Sequence, residues 1–411
     1  MLYTKIPHCR ICRNPNLESV LNLGEQALTG VFPLPGQIVE TWPLELVKCS
    51  GNDFCGLLQL GHDYDMEQLY GDNYGYRSGL NGSMVKHLGT IVEKAKILVD
   101  IQPGDLVIDI ASNDGTMLTA YGDHGYDLLG VDPTSRKFAQ YYPGYVDYVS
   151  EFFTADAVRS KTDKKAKIIT SVSMFYDLPD PVAFVADVKE VLADDGIWIL
   201  EQSYMPTMID MVSYDTVCHE HLEYYALKQI KWLVDNAGMK IVDVTLNDVN
   251  GGSFQVVVSK DISRVANEEN ITKLLSHEEI GWYSSGEVFT QFKVNIETHK
   301  KAVLDFFATA KKENKKVIGY GASTKWNVTL QYCGITTDML PYIAEVNEYK
   351  FGRTTPGTKI PLISEKDANA MNPDYFFVLP WHFRKSILER ETEFLINGGH
   401  FVFPLPCLDI V

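Results

Sequence analysis

The chain has 411 residues, enough for roughly two or three domains with a substantial core. Its 37 Lys and Arg against 54 Asp and Glu give a net charge of −17, spread along the chain, whereas a nucleic-acid partner calls for a basic footprint. Apolar residues at 45% and charged residues at 22% exclude a disordered polymer. No apolar run approaches the ~20 residues of a membrane span. The start, MLYTKIPHCR, has no charged stretch followed by an apolar one, so the expectation is a cytoplasmic protein with no membrane partner.

Residues 1–70 are rich in Pro and Gly and hold four of the seven Cys, with short apolar stretches such as LELV and LLQL. The spacing Cys9-x2-Cys12 followed by Cys49-x5-Cys55 supplies four thiolates, the ligand set of a structural, tetrahedral zinc site. A metal-stapled module is expected there. Beyond the segment YGDNYGYRSGLNGSM, helical spacing predicts a helix from Gly82 to Ile101.

From Leu106 strands alternate with helices (LVIDI, DLLGVD, YVDYV, KIITSV, a helix Pro181–Leu192, GIWIL), which predicts a parallel α/β sheet. MKIVDVTL and SFQVVVS around Asn250-Gly251-Gly252 predict an antiparallel hairpin at its edge. Ser263–Lys315 shows no strand pattern, and its apolar stripe from Phe289 to Phe307 predicts a long connecting helix. KVIGYGAS, PYIAEV, DYFFVLP and HFVFPLP then predict a second α/β unit. The expected domains are 1–70 (zinc binding), 71–262 (cofactor binding), 263–315 (helical connector) and 316–411 (C-terminal α/β).

Three segments carry chemistry. DIASNDGTML at 109–118 follows a strand and opens a helix, placing Asn113, Asp114 and Gly115 in a tight turn, and Asp132 ends the next strand. An acid there can accept hydrogen bonds from the ribose hydroxyls of an adenosine. With one Gly in place of GxGxxG the turn is poorly made for a pyrophosphate, which favours S-adenosylmethionine over a dinucleotide. YDTVCHEHLEYY at 214–225 concentrates His219, Glu220, His221 and Glu223 around Cys218. A His oriented by a partner makes a general base near neutral pH, while a polar surface loop is the alternative. VIGYGASTK at 317–325, with Glu345 ending the next strand, resembles a nicotinamide-binding half in which Thr324 stands where a third Gly is usual. A nicotinamide-dependent sugar oxidoreductase using Gly319, Gly321 and Glu345 is the second reading. A zinc-stapled scaffold without turnover is the third.

In this order, the Cys cluster ending CGLLQL, YGYRSG at 74–79, DIASNDGT, YDTVCHEHLEYY, GYGASTK and FGRTTPGTKIP at 351–361 resemble the S-adenosylmethionine-dependent C-methyltransferases of nucleotide-linked deoxysugars. The resemblance spans nearly the whole chain. It implies an N-terminal zinc-binding module, a central Rossmann-like methyltransferase domain and a C-terminal Rossmann-like domain that helps hold a nucleotide-diphosphate sugar. It implies proton removal beside a ketone of that sugar and methyl transfer to the resulting enolate carbon. Carried onto this sequence, His221 is the base, Glu220 its neighbour, and Tyr76 a nearby hydroxyl. Asp109, Ala111, Asn113, Asp114, Gly115 and Asp132 are expected at the cofactor, and Lys325 and Arg353 at the diphosphate. Cys218 stands where the family commonly has Tyr, Asp177 where it has His, and Trp326 where it has Gly.

Overall fold

Fully buried runs such as Leu106–Ile110 and Val317–Tyr320 belong to strands covered on both faces. The computed structural model describes residues 2–51, 54–65, 69, 76–281, 283 and 286–411. Tyr74 and Gly75 of the YGYRSG segment lie outside them. The N-terminal region pairs β1 (Tyr3–Lys5) with β5 (His62–Tyr64), and β2 (Leu17–Ala27), β3 (Thr41–Cys49) and β4 (Leu58–Leu60) form an antiparallel sheet. This is more regular structure than short apolar stretches suggested, because β2 exposes one face and scatters its apolar residues.

The helix α1 (Gly82–Leu98) ends at Val99, short of the expected Ile101. Next come β6 (Leu106–Ile110), β7 (Asp127–Val131), β8 (Val146–Val149), β9 (Ala166–Val172), helix α2 (Pro181–Val191) and β10 (Leu192–Ser203). β11 (Glu223–Tyr224), helix α3 (Leu227–Asn236), β12 (Lys240–Asn247) and β13 (Ser253–Ser259) follow. The seven-stranded sheet has the order β12-β13-β10-β9-β6-β7-β8. Its first five strands follow the 3-2-1-4-5 order of dinucleotide folds, but β13 enters antiparallel between β10 and β12. The hairpin expected around Asn250 is therefore present, with β12 on the edge.

The region expected to hold one long connecting helix holds two, α4 (Glu268–Ile280) and α5 (Gly286–Lys312). The apolar stripe lies on α5, which buries Phe289, Phe292, Ile296, His299, Val303 and Phe307, and α4 ends at Gly281. The C-terminal strands β14 (Val317–Tyr320), β15 (Ile343–Glu345), β16 (Leu362–Ser364), β17 (Tyr375–Val378), β18 (His400–Phe403) and β19 (Asp409–Ile410) assemble as β16-β15-β14-β17-β18-β19. Helix α6 (Trp326–Cys333) follows β14. All pairs are parallel except β18 with β19.

One apolar core runs through all three regions, from Trp42 through Trp198 to Phe377. The regions also exchange strands: β11, from within the expected methyltransferase domain, pairs antiparallel with β4 of the N-terminal sheet, Glu223 opposite Gln59 and Tyr224 opposite Leu58. Arg10 fixes this junction. Its guanidinium, 3% exposed, donates to the carbonyls of Leu60 and His62 at 2.8 Å each and to Leu222 at 3.4 Å, and lies 2.7 Å from Asp63 and 3.5 Å from Glu223. Arg10→Met should strand several buried acceptors together and cost about 3 kcal/mol, read as a lowered urea midpoint with an unchanged slope.

Candidate active site

The four sulfurs of Cys9, Cys12, Cys49 and Cys55 lie within 4.8 Å of one another, with Cys9–Cys55 at 3.5 Å and Cys12–Cys49 at 3.4 Å. A zinc ion with ~2.3 Å arms needs tetrahedral edges of about 3.8 Å, so the donor set fits. Hydrogen bonds from Cys55 and Cys9 push the Cys49 thiol well below the usual thiol range, while its partner Cys49 pushes Cys9 up. Asn14 Nδ2 donates to Cys49 Sγ at 3.2 Å, orienting the sulfur from behind. With four sulfur donors, such a site is structural.

At the carboxyl ends of β6, β7 and β9 lies a cavity of about 440 Å³, suited to a nucleoside-sized ligand. Asp109, Ala111, Asn113, Asp132, Tyr76 and Asp177 line it. The DIASNDG turn winds through left-handed backbone at Ala111 (φ 57°), Asn113 (φ 52°) and Gly115 (φ 73°). Ala and Asn take that conformation at a cost of about 1 kcal/mol each, which brings their backbone to the cavity wall. Asp132 Oδ2 accepts from the Asn113 N–H at 2.9 Å, and Oδ1 accepts from the Thr134 N–H and hydroxyl at 2.6 Å each. A carboxylate can take further donors on its remaining lone pairs, so Asp132 suits ribose hydroxyls.

Asp114 and Gly115, expected at the cofactor, are not part of the cavity wall. Asn113 and Asp114 hold the segment that roofs it: Ser78 N–H donates to Asn113 Oδ1, Gly79 N–H to Asp114 Oδ2, both at 3.0 Å, and Asn113 Nδ2 donates to the Tyr76 carbonyl at 3.1 Å. Arg77 adds an ion pair to Asp114 at 3.3 Å and lies over the Tyr141 ring.

Asp109 sits opposite Thr170 in the β6–β9 register and accepts its hydroxyl at 2.6 Å. Burial pushes its carboxyl from the ordinary 3.8 up to about 7. A raised carboxylate pKa means stability is full below the unfolded value and is lost as pH rises through 7. Asp109→Asn should remove that loss, so thermal scans from pH 5 to 8.5 should show the variant gaining on the parent by on the order of 3 kcal/mol across the window. A constant offset between the two proteins would rule out this role for the buried charge.

The segment 214–225 opens with a single 3-10 turn (Tyr214–Thr216) and is irregular from there to β11. His219 and His221 therefore diverge. His219 is buried against Trp42 and Tyr64, with Nε2 3.2 Å from the Trp42 carbonyl, and serves the N-terminal core. His221 Nδ1 lies 2.9 Å from the Thr216 carbonyl. A carbonyl only accepts, so Nδ1 carries the proton and Nε2 keeps its lone pair. Burial first, and the Lys325 ammonium second, lower His221 to about 3, so the imidazole is neutral at physiological pH. Tyr176, adjacent to the cavity residue Asp177, packs on it with ring centroids 4.3 Å apart. Glu220 accepts the Thr29 hydroxyl at 3.1 Å and a hydrogen bond from the Cys218 thiol, and a methyl group on Gly30 would fall 2.9 Å from its Oε1. Asn327 donates to the Thr29 carbonyl at 2.8 Å, so all three regions meet at Glu220.

The C-terminal site of the second reading is filled by the protein itself. Glu345 Oε1 accepts the N–H groups of Val346 and Asn347 at 2.8 and 3.0 Å, and Oε2 accepts Ala322 N–H and faces Lys350, both at 3.2 Å. Arg353 donates to the carbonyls of Tyr349 and Phe32 at 2.9 and 3.0 Å, clasping the N-terminal region to the C-terminal one. Thr29, Thr216 and Tyr176 had no motif of their own; the one signal for Tyr176 was its place just after the fourth strand of the central sheet.

The family models agree with this geometry. Residues 9–70 match the family model of a zinc binding domain, 91–244 that of a methyltransferase domain, and 248–406 that of a C-methyltransferase C-terminal domain. The C-methyltransferase NovU of Streptomyces niveus is 27% identical over 408 residues, covering 98% of this chain and 96% of its own. Among solved structures, the magnesium protoporphyrin IX methyltransferase of Synechocystis, with bound S-adenosylmethionine, is similar at 15% identity and a TM-score of 0.32, over 47% of this chain and 88% of that one. YcgJ of Bacillus subtilis is similar at 14% identity and a TM-score of 0.35, over 43% and 98%. Central sheet, cavity and matched domains define an S-adenosylmethionine-dependent methyltransferase. With its zinc binding and C-terminal domains, the chain is an S-adenosylmethionine-dependent C-methyltransferase. No described helix is long and apolar enough to cross a membrane.

Proposed function

We propose that the acceptor is a nucleotide-linked keto-deoxysugar, methylated on the carbon next to its ketone. The carrying observation is the fixed tautomer of His221: its Nδ1–H is spent on Thr216, which leaves the Nε2 lone pair free to take a proton. When bound in the cavity, S-adenosylmethionine supplies an electrophilic methyl group on its sulfonium. Asp132 and the turn at 111–113 hold its nucleoside, and Tyr76 closes the cavity from the roof segment.

His221 removes the acidic proton beside the ketone. Donors near the developing oxyanion lower the barrier most in a water-poor site. Tyr76 and Lys325 supply them, since the Cys218 thiol is committed to Glu220. Lys325 also faces the diphosphate, and its charge bears on His221, Asp215, Cys218 and His382. An anion seated there offsets the cation that depresses His221, so the base strengthens when acceptor is present. Arg353, with two N–H groups on carbonyls, offers its remaining donors to the same diphosphate.

The test incubates the enzyme in D2O with S-adenosylhomocysteine and a 4-keto deoxysugar nucleotide. Deuterium should enter the carbon next to the ketone, and His221→Ala should abolish the exchange. An oxygen-methylated product in the full reaction, with no exchange, would eliminate the enolate chemistry.

A further inference from the structure

The catalytic segment is tied to the C-terminal region by a contact between residues 166 positions apart. After β17 the chain turns through Pro380 into Trp381–Phe383, and the Trp381 indole N–H donates to Asp215 Oδ2 at 3.1 Å. Trp381 is 7% exposed and Asp215 2%. The benzo edge of the ring faces Gly251, where an added methyl group would lie 3.5 Å from it, in ordinary van der Waals contact. Gly251 belongs to the turn whose Asn250 Nδ2 donates to Ser173, a residue of the cofactor cavity. The indole thus adjoins both the catalytic segment and a turn at the cavity.

Asp215 immediately precedes Thr216. Both residues belong to one 3-10 turn (Tyr214–Thr216), in which the Thr216 N–H donates to the Ser213 carbonyl at 3.2 Å. The Thr216 carbonyl in turn receives His221 Nδ1–H at 2.9 Å and the Tyr224 hydroxyl at 3.3 Å. Holding Asp215 therefore holds the backbone from which that carbonyl projects. Were the carbonyl to rotate away, nothing would keep the imidazole proton on Nδ1, and Nε2–H, which cannot accept a proton, would become populated.

We propose that Trp381 is a positioning residue for the base: through Asp215 it fixes the Thr216 carbonyl, and through that carbonyl the orientation and tautomer of His221. The proposal rests on the reading of His221 as the base. It makes docking of the C-terminal region a condition for a competent base.

Trp381→Phe keeps the ring in place and removes the indole N–H. In the full-length zinc-loaded enzyme labelled with 15N-histidine, the parent His221 signal, assigned by its loss in His221→Gln, should report a protonated Nδ1 and a bare Nε2. In Trp381→Phe the two tautomers should mix, kcat should fall on the order of 10- to 100-fold, and KM for S-adenosylmethionine should stay within about twofold. Asp215→Leu, which removes the acceptor, should behave alike, and the double variant should lose no more than either single one. An unchanged His221 signal in Trp381→Phe overturns the proposal, whether or not kcat falls. A mixed tautomer with full kcat upholds the positioning and removes His221 from the chemistry instead.

Discussion

His221→Ala should lower methyl transfer by about 10³- to 10⁴-fold while the affinity for S-adenosylhomocysteine stays within twofold. The separation follows from the layout. The cavity proposed for the cofactor is walled by the turns after β6, β7 and β9 and roofed by residues 76–79, whereas His221 hangs from the Thr216 carbonyl beyond its edge, touching Tyr176. Removing an imidazole held by one carbonyl and one ring leaves the cavity walls in place. Single-turnover rates and calorimetric titration read the two quantities independently. Parent-like turnover in the variant would transfer the base role to another residue.

The second large effect concerns metal. Cys9→Ser should lower bound zinc well below one per chain and reduce the unfolding temperature by more than about 10 °C, since a structural zinc contributes on the order of 10 kcal/mol to folding of its module. Two of the four ligands, Cys49 and Cys55, lie in the chain from the end of β3 to β4, and β4 pairs with β11 of the 214–225 segment. Gln229 Nε2 also donates to the Cys55 carbonyl at 2.9 Å. Loss of metal should therefore reach the chemistry too: at temperatures where the variant is still folded, turnover should fall more than cofactor affinity does. Metal analysis with calorimetry with and without added zinc checks this. A variant with full zinc and an unchanged transition would sink the structural role.

Local chemistry was legible in the chain. Four Cys at workable spacings, a turn with Asn113 and Gly115 after a buried strand, and an acid ending the next strand each announce themselves within a few residues. Long-range partners were not. A two-residue strand such as β11 has no periodicity to read, and its partner lies more than 160 positions earlier. Arg10 carries no motif of its own, yet it is buried and gathers six groups. Glu345 reads as a ribose acid because its position in the Rossmann pattern is right; only the fold brings three backbone N–H groups and Lys350 to consume it. Asp114 illustrates the same limit at close range, since its carboxylate turns away from the cavity to hold the roof.

The pairing of β11 with β4 also decides where this protein can be cut and rejoined. A chimera that exchanges residues 1–70 with those of a relative, while keeping residues 214–225 of this chain, would set Leu222–Tyr224 against a foreign edge strand and confront Glu223 with whatever replaces Arg10. The functional seam therefore passes through the methyltransferase domain. A graft that carries residues 214–225 along with the N-terminal region preserves the hydrogen-bonded register, and should yield active hybrids where a cut at the linear domain boundary yields soluble but idle ones.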